Sequence, residues 1–374
     1  MVLSIKQVIL TSVLSVLAFA VQAQTQKVEV LEYHPAPGQF VNTLPAADEN
    51  STQDDVNQGC EEQLSGDGLV HLGTYGGYIT VKFDHPIENK PGSDILILGN
   101  GFYSNADPIY GKETIGGSIE PGIVYVGVGK NLEEAKWYEL AGSEYYTSEI
   151  HDFQITYYKP TAESGDQTQF SSSYDKYIKW ECSWTDKNGE HRDSTGYHMK
   201  NVSHKQTYWP IWEGKDELTF KGGKLPNNAI ETSGKGTYWI QYRYAKDAYG
   251  YVDASPATDS LYSSFDINWA VDDEGNQVVL DHIDFIRVKT GIFQYCGWLG
   301  ETSTEINSIA DLHLIEGYDD KPFVITPRQR PTTGITRPTI HVVEDDVYYN
   351  LMGQRVLNLV KGHIYVHKGR KVIY

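Results

Sequence analysis

From His71 onward the apolar residues of this chain recur at every second position, and no long segment repeats them every 3.6 residues. Period two lines one face of a pleated strand, whereas period 3.6 lines one face of a helix, so a chain with only the first pattern folds from strands. "GGYITVKFDHPI" alternates in this way. "SDILILGNGFY" is a continuous apolar run closed by Gly-Asn-Gly, as expected of a buried central strand and its turn. "PGIVYVGVG", "KWYELAGSEY" and "FQITYYKP" read as three more strands. Residues 161–250 are less regular but hold "KYIKWECSW", "DELTF" and "TYWIQYRYA". "HIDFIRVKT" follows the turn "DDEGNQ". "NLEEAKW" and "INSIADLHL" each have room for one helical turn. The 27 Tyr, 8 Trp and 35 Gly against 3 Met fit strands and turns better than helices. The expected fold is all-β, a jelly-roll β-sandwich with a short C-terminal β tail.

The start of the chain carries a different signal. Lys6 is followed by an apolar run over residues 8–21, and Val21-Gln22-Ala23 presents small residues at the −3 and −1 positions of a cut. This reads as a secretory signal peptide, residues 1–23, too short and wrongly flanked for a membrane span. Residues 24–68 are polar and turn-rich, an irregular lead-in with room for one strand near Lys27 to Glu32. The sandwich is expected over 69–316. Pro322, Pro327, Pro331 and Pro338 mark 317–346 as an extended linker. Residues 347–374 form a unit too short to hold its own core.

The formal charge is −19, and loss of a leader with one lysine and no acid takes it to −20. An acidic surface repels phosphate backbones, so no nucleic-acid partner is expected. Export permits a disulfide, and three cysteines (Cys60, Cys182, Cys296) leave at least one thiol unpaired. No C-x-x-C, H-E-x-x-H or G-x-S-x-G occurs, which removes cysteine zinc sites, zincins and the hydrolase elbow.

Three kinds of site remain. Hard cations take six to eight oxygens from acidic turns, and Asp94, Asn100, Asn105 and Asp107 flank the "ILIL" strand, so a Ca²⁺ ion is expected there. The run from Asp272 to Asn276 reads instead as a polar hairpin turn. Aromatic faces stack on apolar ligand faces while nearby polar groups fix orientation. Tyr208, Trp209 and Trp212 sit in an irregular segment, Tyr249 and Tyr251 on a loop, and Trp298 beside Glu301. These seven are the candidate ligand-binding residues. Trp137, Trp184 and Trp269 alternate within strands and read as core. Paired carboxylates could hydrolyse a glycosidic bond, with Glu120, Glu139, Glu144, Glu301 and Glu305 as candidates.

Two stretches resemble known families. The pieces "LGTYGGYITVKFDHPIENKPGSDILILGNGFYSNAD", "SIEPGIVYVGV", "WYELAGSEY", "FDINWAVDDEGNQVVLDHIDFIRVKT" and "QYCGWLGETSTEINSIADLHL" cover residues 72–313. They resemble secreted Bacteroidetes cell-surface proteins with a galactose-binding-like jelly-roll domain. The tail pieces "YNLMGQRV", "KGHIYV" and "GRKVI" resemble type IX secretion sorting signals. The resemblance implies a protein that is secreted or held on the outer cell surface. It also implies contact with outer-membrane uptake or secretion machinery.

The reading that follows is a non-enzymatic binding protein. Its ligand would be a glycan or a scarce nutrient such as a vitamin, held by loop aromatics and carboxylates. The alternatives are a carbohydrate-active hydrolase and a purely structural surface component.

Overall fold

A computed structural model describes residues 26–315, apart from 67, 104–116, 161–174, 201–203, 205, 237–238, 245–247 and 257–262. In the tail it describes 348–349, 355–356, 361, 364–367 and 370–373. The expected signal peptide and the linker therefore lie outside the described residues.

The chain is all-β, as the alternation predicts. Seven antiparallel strands form the main sheet. Six run in the order Glu29–His34, Tyr78–Lys82, Phe285–Thr290, Gly122–Val128, Lys136–Leu140 and Ala270–Val271, and Tyr251–Val252 also pairs with Gly122–Val128. One face of this sheet is apolar: Ile79, Val81, Val124, Val126, Tyr138, Leu140, Ile286 and Val288 join the largest core. That core is closed by Ile95, Ile97, Phe265 and Ile309 from a three-stranded sheet in which Ile95–Leu98 lies between Ser264–Phe265 and Ser308–Asp311. The "ILIL" strand is thus the buried central strand expected: Leu96 and Leu98 fill a separate cluster with Ala310, Leu312 and Ile315.

The opposite face of the main sheet is polar. Register alone sets Glu32, Thr80, Arg287, Tyr125 and Glu139 side by side in one row across five strands. A four-stranded sheet, in the order His191–Lys200, Asp175–Thr185, Ile150–Tyr158 and Glu217–Lys224, supplies most of a second core with Phe153, Ile155, Tyr157 and Phe220.

Two local readings differ. The lead-in is not irregular throughout, because Gln53–Leu64 is a helix whose Val56, Cys60 and Leu64 enter the main core. Its start is a capping box: Asp55 N donates to Thr52 Oγ1 at 3.2 Å and Thr52 N donates to Asp55 Oδ2 at 2.8 Å. "INSIADLHL" is mainly strand, with one 3₁₀ turn at Leu312–Leu314. The Asp272 turn is a polar hairpin turn as read, with Asp272 Oδ1 accepting from Glu274 N and Asn276 N. All three cysteines are buried and unpaired. The tail forms four short strands, in the order Arg355–Val356, Tyr348–Tyr349, Ile364–His367 and Arg370–Ile373.

Candidate functional site: two buried acidic centres

The first centre is assembled from five distant segments. Glu120 precedes the strand Gly122–Val128. Asp253 follows Tyr251–Val252, which pairs with that strand through Val252 and Gly122. Glu120 N donates to Asp253 O at 2.9 Å, fixing the two neighbours. Glu305 enters from Glu305–Ile306, where it pairs directly with His71. The result is three carboxylates with an oxygen from each within 4.8 Å of the others. Asp253 is held in the left-handed region at φ 55°, which costs about 1 kcal/mol or more for a residue with a Cβ. Its Oδ1 accepts from Asn100 N at 3.0 Å and Gly101 N at 2.7 Å, and its Oδ2 from Glu305 N at 3.2 Å. A Cβ on Gly99 would run into the Asp253 carboxylate, so the Gly-Asn-Gly turn must be bare to wrap it.

Glu120 Oε1 accepts from Gln241 Nε2 at 2.9 Å and Ser303 N at 3.2 Å. His71 Nδ1 accepts from Gly73 N at 3.3 Å, so the ring's proton sits on Nε2, which faces Glu305 Oε1 at 3.3 Å. Burial lowers His71 to about 4 and keeps it neutral. Burial raises Glu120 to about 7, and burial with the Glu120 charge raises Asp253 and Glu305 well above the carboxylate range. Beside them lies Glu301. Burial pushes it up, but His198, with Nε2 at 3.6 Å, then His71 and the backbone N–H of Gln39 at 2.5 Å outweigh that and hold it at about 2.

The second centre lies at the end of the polar row. Burial raises Glu139 to about 7, and burial with the Glu139 charge raises Glu149 further. Glu139 Oε1 and both oxygens of Glu149 are buried without a hydrogen-bond donor, but the ammonium of Lys289 acts on both groups. Lys289 is buried, sits 3.4 Å from Tyr125 Oη and lies over the Tyr75 and Tyr125 rings.

The expected sites stand differently. Tyr208 is fully buried against Tyr177 and His198, Trp209 is 1% exposed, and Trp212 is 9% exposed and stacked on Tyr33 at 5.8 Å. Tyr251 is buried with its hydroxyl accepting from Glu144 N, and Tyr249 is half-buried against Trp269. These five do not form an exposed platform; irregular backbone at 208–212 covers a core instead of leaving it. Trp298 lies in a 3₁₀ turn, Gly297–Leu299, and its side chain is outside the described residues. Glu301 is buried in the acid network.

The expected calcium set does not converge. The buried Asp94 accepts from Lys90 N and Ile267 N and faces His313 Nε2 at 3.2 Å. Asn100 lies at the other end of the strand, roughly 15–20 Å away at 3.3 Å per residue. Asn105 and Asp107 lie outside the described residues. Sequence reasoning missed Asp253, His71, Arg287 and Lys289; the only signal for the last two is the polar phase of "FIRVKT".

No family model matches the chain, and no curated protein matches it.

Proposed function

We propose that this is a non-enzymatic binding protein, exported to the cell surface or beyond it, that recognises a glycan or a scarce nutrient such as a vitamin. One observation carries the reading. The Arg287 guanidinium lies over the rings of both Tyr78 (4.8 Å) and Trp137 (4.2 Å) on the polar face of the main sheet. Its Nε donates to Thr80 Oγ1 at 2.8 Å and its Nη2 to Glu32 Oε2 at 2.7 Å. Guanidinium carries five N–H groups in a fixed fork. Two are engaged, and the side chain is 25% exposed. A cation held over two rings, with spare donors, suits a ligand rich in hydroxyl, amide or carboxylate oxygens. Trp137, which reads as core in the sequence, is half-buried here.

Binding is favoured over hydrolysis by carboxylate spacing. Glycoside hydrolysis sets two carboxyl groups about 5–10 Å apart across a cleft. In each acidic centre the carboxyls, Glu120 with Glu305 and Glu139 with Glu149, lie directly against one another, which leaves no cleft between them for a sugar. The resemblance of residues 72–313 and of the tail supports surface placement and the partnership with uptake or secretion machinery.

The test is a thermal-shift screen of the full chain against glycans and corrinoids. A ligand that raises Tm in the wild type should lose that effect in Arg287→Ala and Trp137→Ala. Each variant without ligand should stay within a few degrees of wild type. A screen with no shift from any organic ligand would sink the reading and favour a structural surface component.

A further inference from the structure

We infer that Glu120, Asp253 and Glu305 together hold one divalent cation of the calcium type. The inference stands apart from the Arg287 face and does not depend on what that face binds.

Three acids meeting in the interior need positive charge or protons between them, because like charges in a poorly solvated site repel strongly. Among the described residues no lysine or arginine forms an ion pair with any of the three, and the neighbouring histidine ring, His71, faces only Glu305. Glu305 supplies the second, independent observation. It is 7% exposed, its Oε1 faces His71, and its Oε2 is buried with no hydrogen-bond donor. A buried carboxylate oxygen left bare costs about as much as a lost charged hydrogen bond, so something absent from the polypeptide is expected to meet it.

The donor set selects the occupant. Three carboxylates offer only oxygen, up to six atoms, which suits a hard cation. His71 cannot supply a nitrogen lone pair, because Nδ1 already accepts from Gly73 N and Nε2 carries the proton. This disfavours zinc and copper. Positions that a cation would require are fixed in advance. Asn100 N and Gly101 N orient Asp253, Gln241 and Ser303 orient Glu120, and His71 lies against Glu305 as the orienting neighbour. Glu120 is the member only partly buried, and it gives the route from solvent.

The competing account is a proton shared between Glu120 and Glu305, with no metal. Calorimetry on the full chain, stripped with a chelator and titrated with CaCl₂, separates the two. The expected result is one equivalent bound and a Tm rise of about 5 °C at saturation. Tb³⁺ should give tyrosine-sensitised luminescence that excess Ca²⁺ quenches. Glu120→Gln, at the partly exposed member, should fold and weaken Ca²⁺ at least tenfold; Glu139→Gln, in the other centre, should leave it unchanged. The inference fails if neither Ca²⁺, Mg²⁺ nor Mn²⁺ produces heat or a Tm shift. It also fails if Glu120→Gln binds as tightly as the wild type.

Discussion

The two acidic centres are built from the same kind of residue and are satisfied in opposite ways. Glu139 and Glu149 are buried and in contact, and Glu139 Oε1 and both Glu149 oxygens lack a hydrogen-bond donor, yet Lys289 reaches them from two strands away in the main sheet, across Gly122–Val128, and His151 Nδ1 lies 3.7 Å from Glu149 Oε1. Glu120, Asp253 and Glu305 are packed as closely, hold more donors, and among the described residues have no such lysine or arginine. Burial drives every one of these carboxyls upward, so desolvation does not distinguish them. On the inference drawn above, the difference is where the countercharge comes from: one centre carries it covalently, and the other would take it from solution. A buried acid cluster is therefore informative about ligands only after its internal cations have been counted.

The largest expected effect removes that distinction. Lys289→Met keeps the apolar stem but strips the second centre of its cation, leaving two buried carboxyls uncompensated. Breaking a buried charge group in this way costs about 3–5 kcal/mol. Urea denaturation at pH 7.5 should show a loss of that size, and a smaller one at pH 5, where the carboxyls keep their protons. A loss below about 1 kcal/mol would mean that Lys289 is not the countercharge and that the two centres are alike.

A pH series sharpens the contrast. Glu139 has its folded pKa raised to about 7, so the folded chain holds a proton that the unfolded chain has already released. Its contribution is fully present below about pH 4.5 and is lost as pH rises through about 7, which makes stability fall across that window. The expected fall is on the order of 2 kcal/mol between pH 5 and 8, allowing for its partial exposure. Glu139→Gln should flatten the curve. His313 shifts the other boundary: hydrogen bonds to Asp311 and Asp94 raise it to about 9, so its share is present below pH 6.5 and fades only toward pH 9. A wild-type curve that rises from pH 5 to 8 would contradict the assignment of raised carboxyls.

Much of this was readable in advance, for a local reason. Strand alternation is a property of neighbours in sequence, and every strand named from it is present. The capping box at Thr52 and Asp55 is equally local, yet residues 24–68 read as an irregular lead-in, because the helix it opens is held by packing Val56, Cys60 and Leu64 into a core built from distant strands. Glu120, Glu301 and Glu305 could be picked out as chemically useful acids. That they share one network with Asp253 and His71 could not, because the network joins residues 71, 99–101, 120, 253 and 301–305 through strand register. Exposure was the least legible property. Trp209, a ligand candidate in the sequence, is 1% exposed because an irregular segment can seal a core, and Trp137 is only half-buried because its sheet face is polar.

The smallest effect concerns the residue that borders the first centre. His71→Gln keeps a side chain of similar reach with an N–H donor, but loses the Nδ1 acceptor for Gly73 N. Being neutral, His71 contributes no charge to the carboxylates, so its removal should leave their repulsion unchanged. The expected cost is about 1 kcal/mol, the value of one buried hydrogen bond. Ca²⁺ affinity should drop severalfold, through a loosened Glu305, without any change in stoichiometry. His71→Lys is the sharper companion. A lysine there would place in the first centre the countercharge that the second already has, and it should abolish the Ca²⁺ response altogether. Retention of full Ca²⁺ affinity in His71→Lys, in a chain that still melts cooperatively, would show that the absence of an internal cation is not what sets the first centre apart.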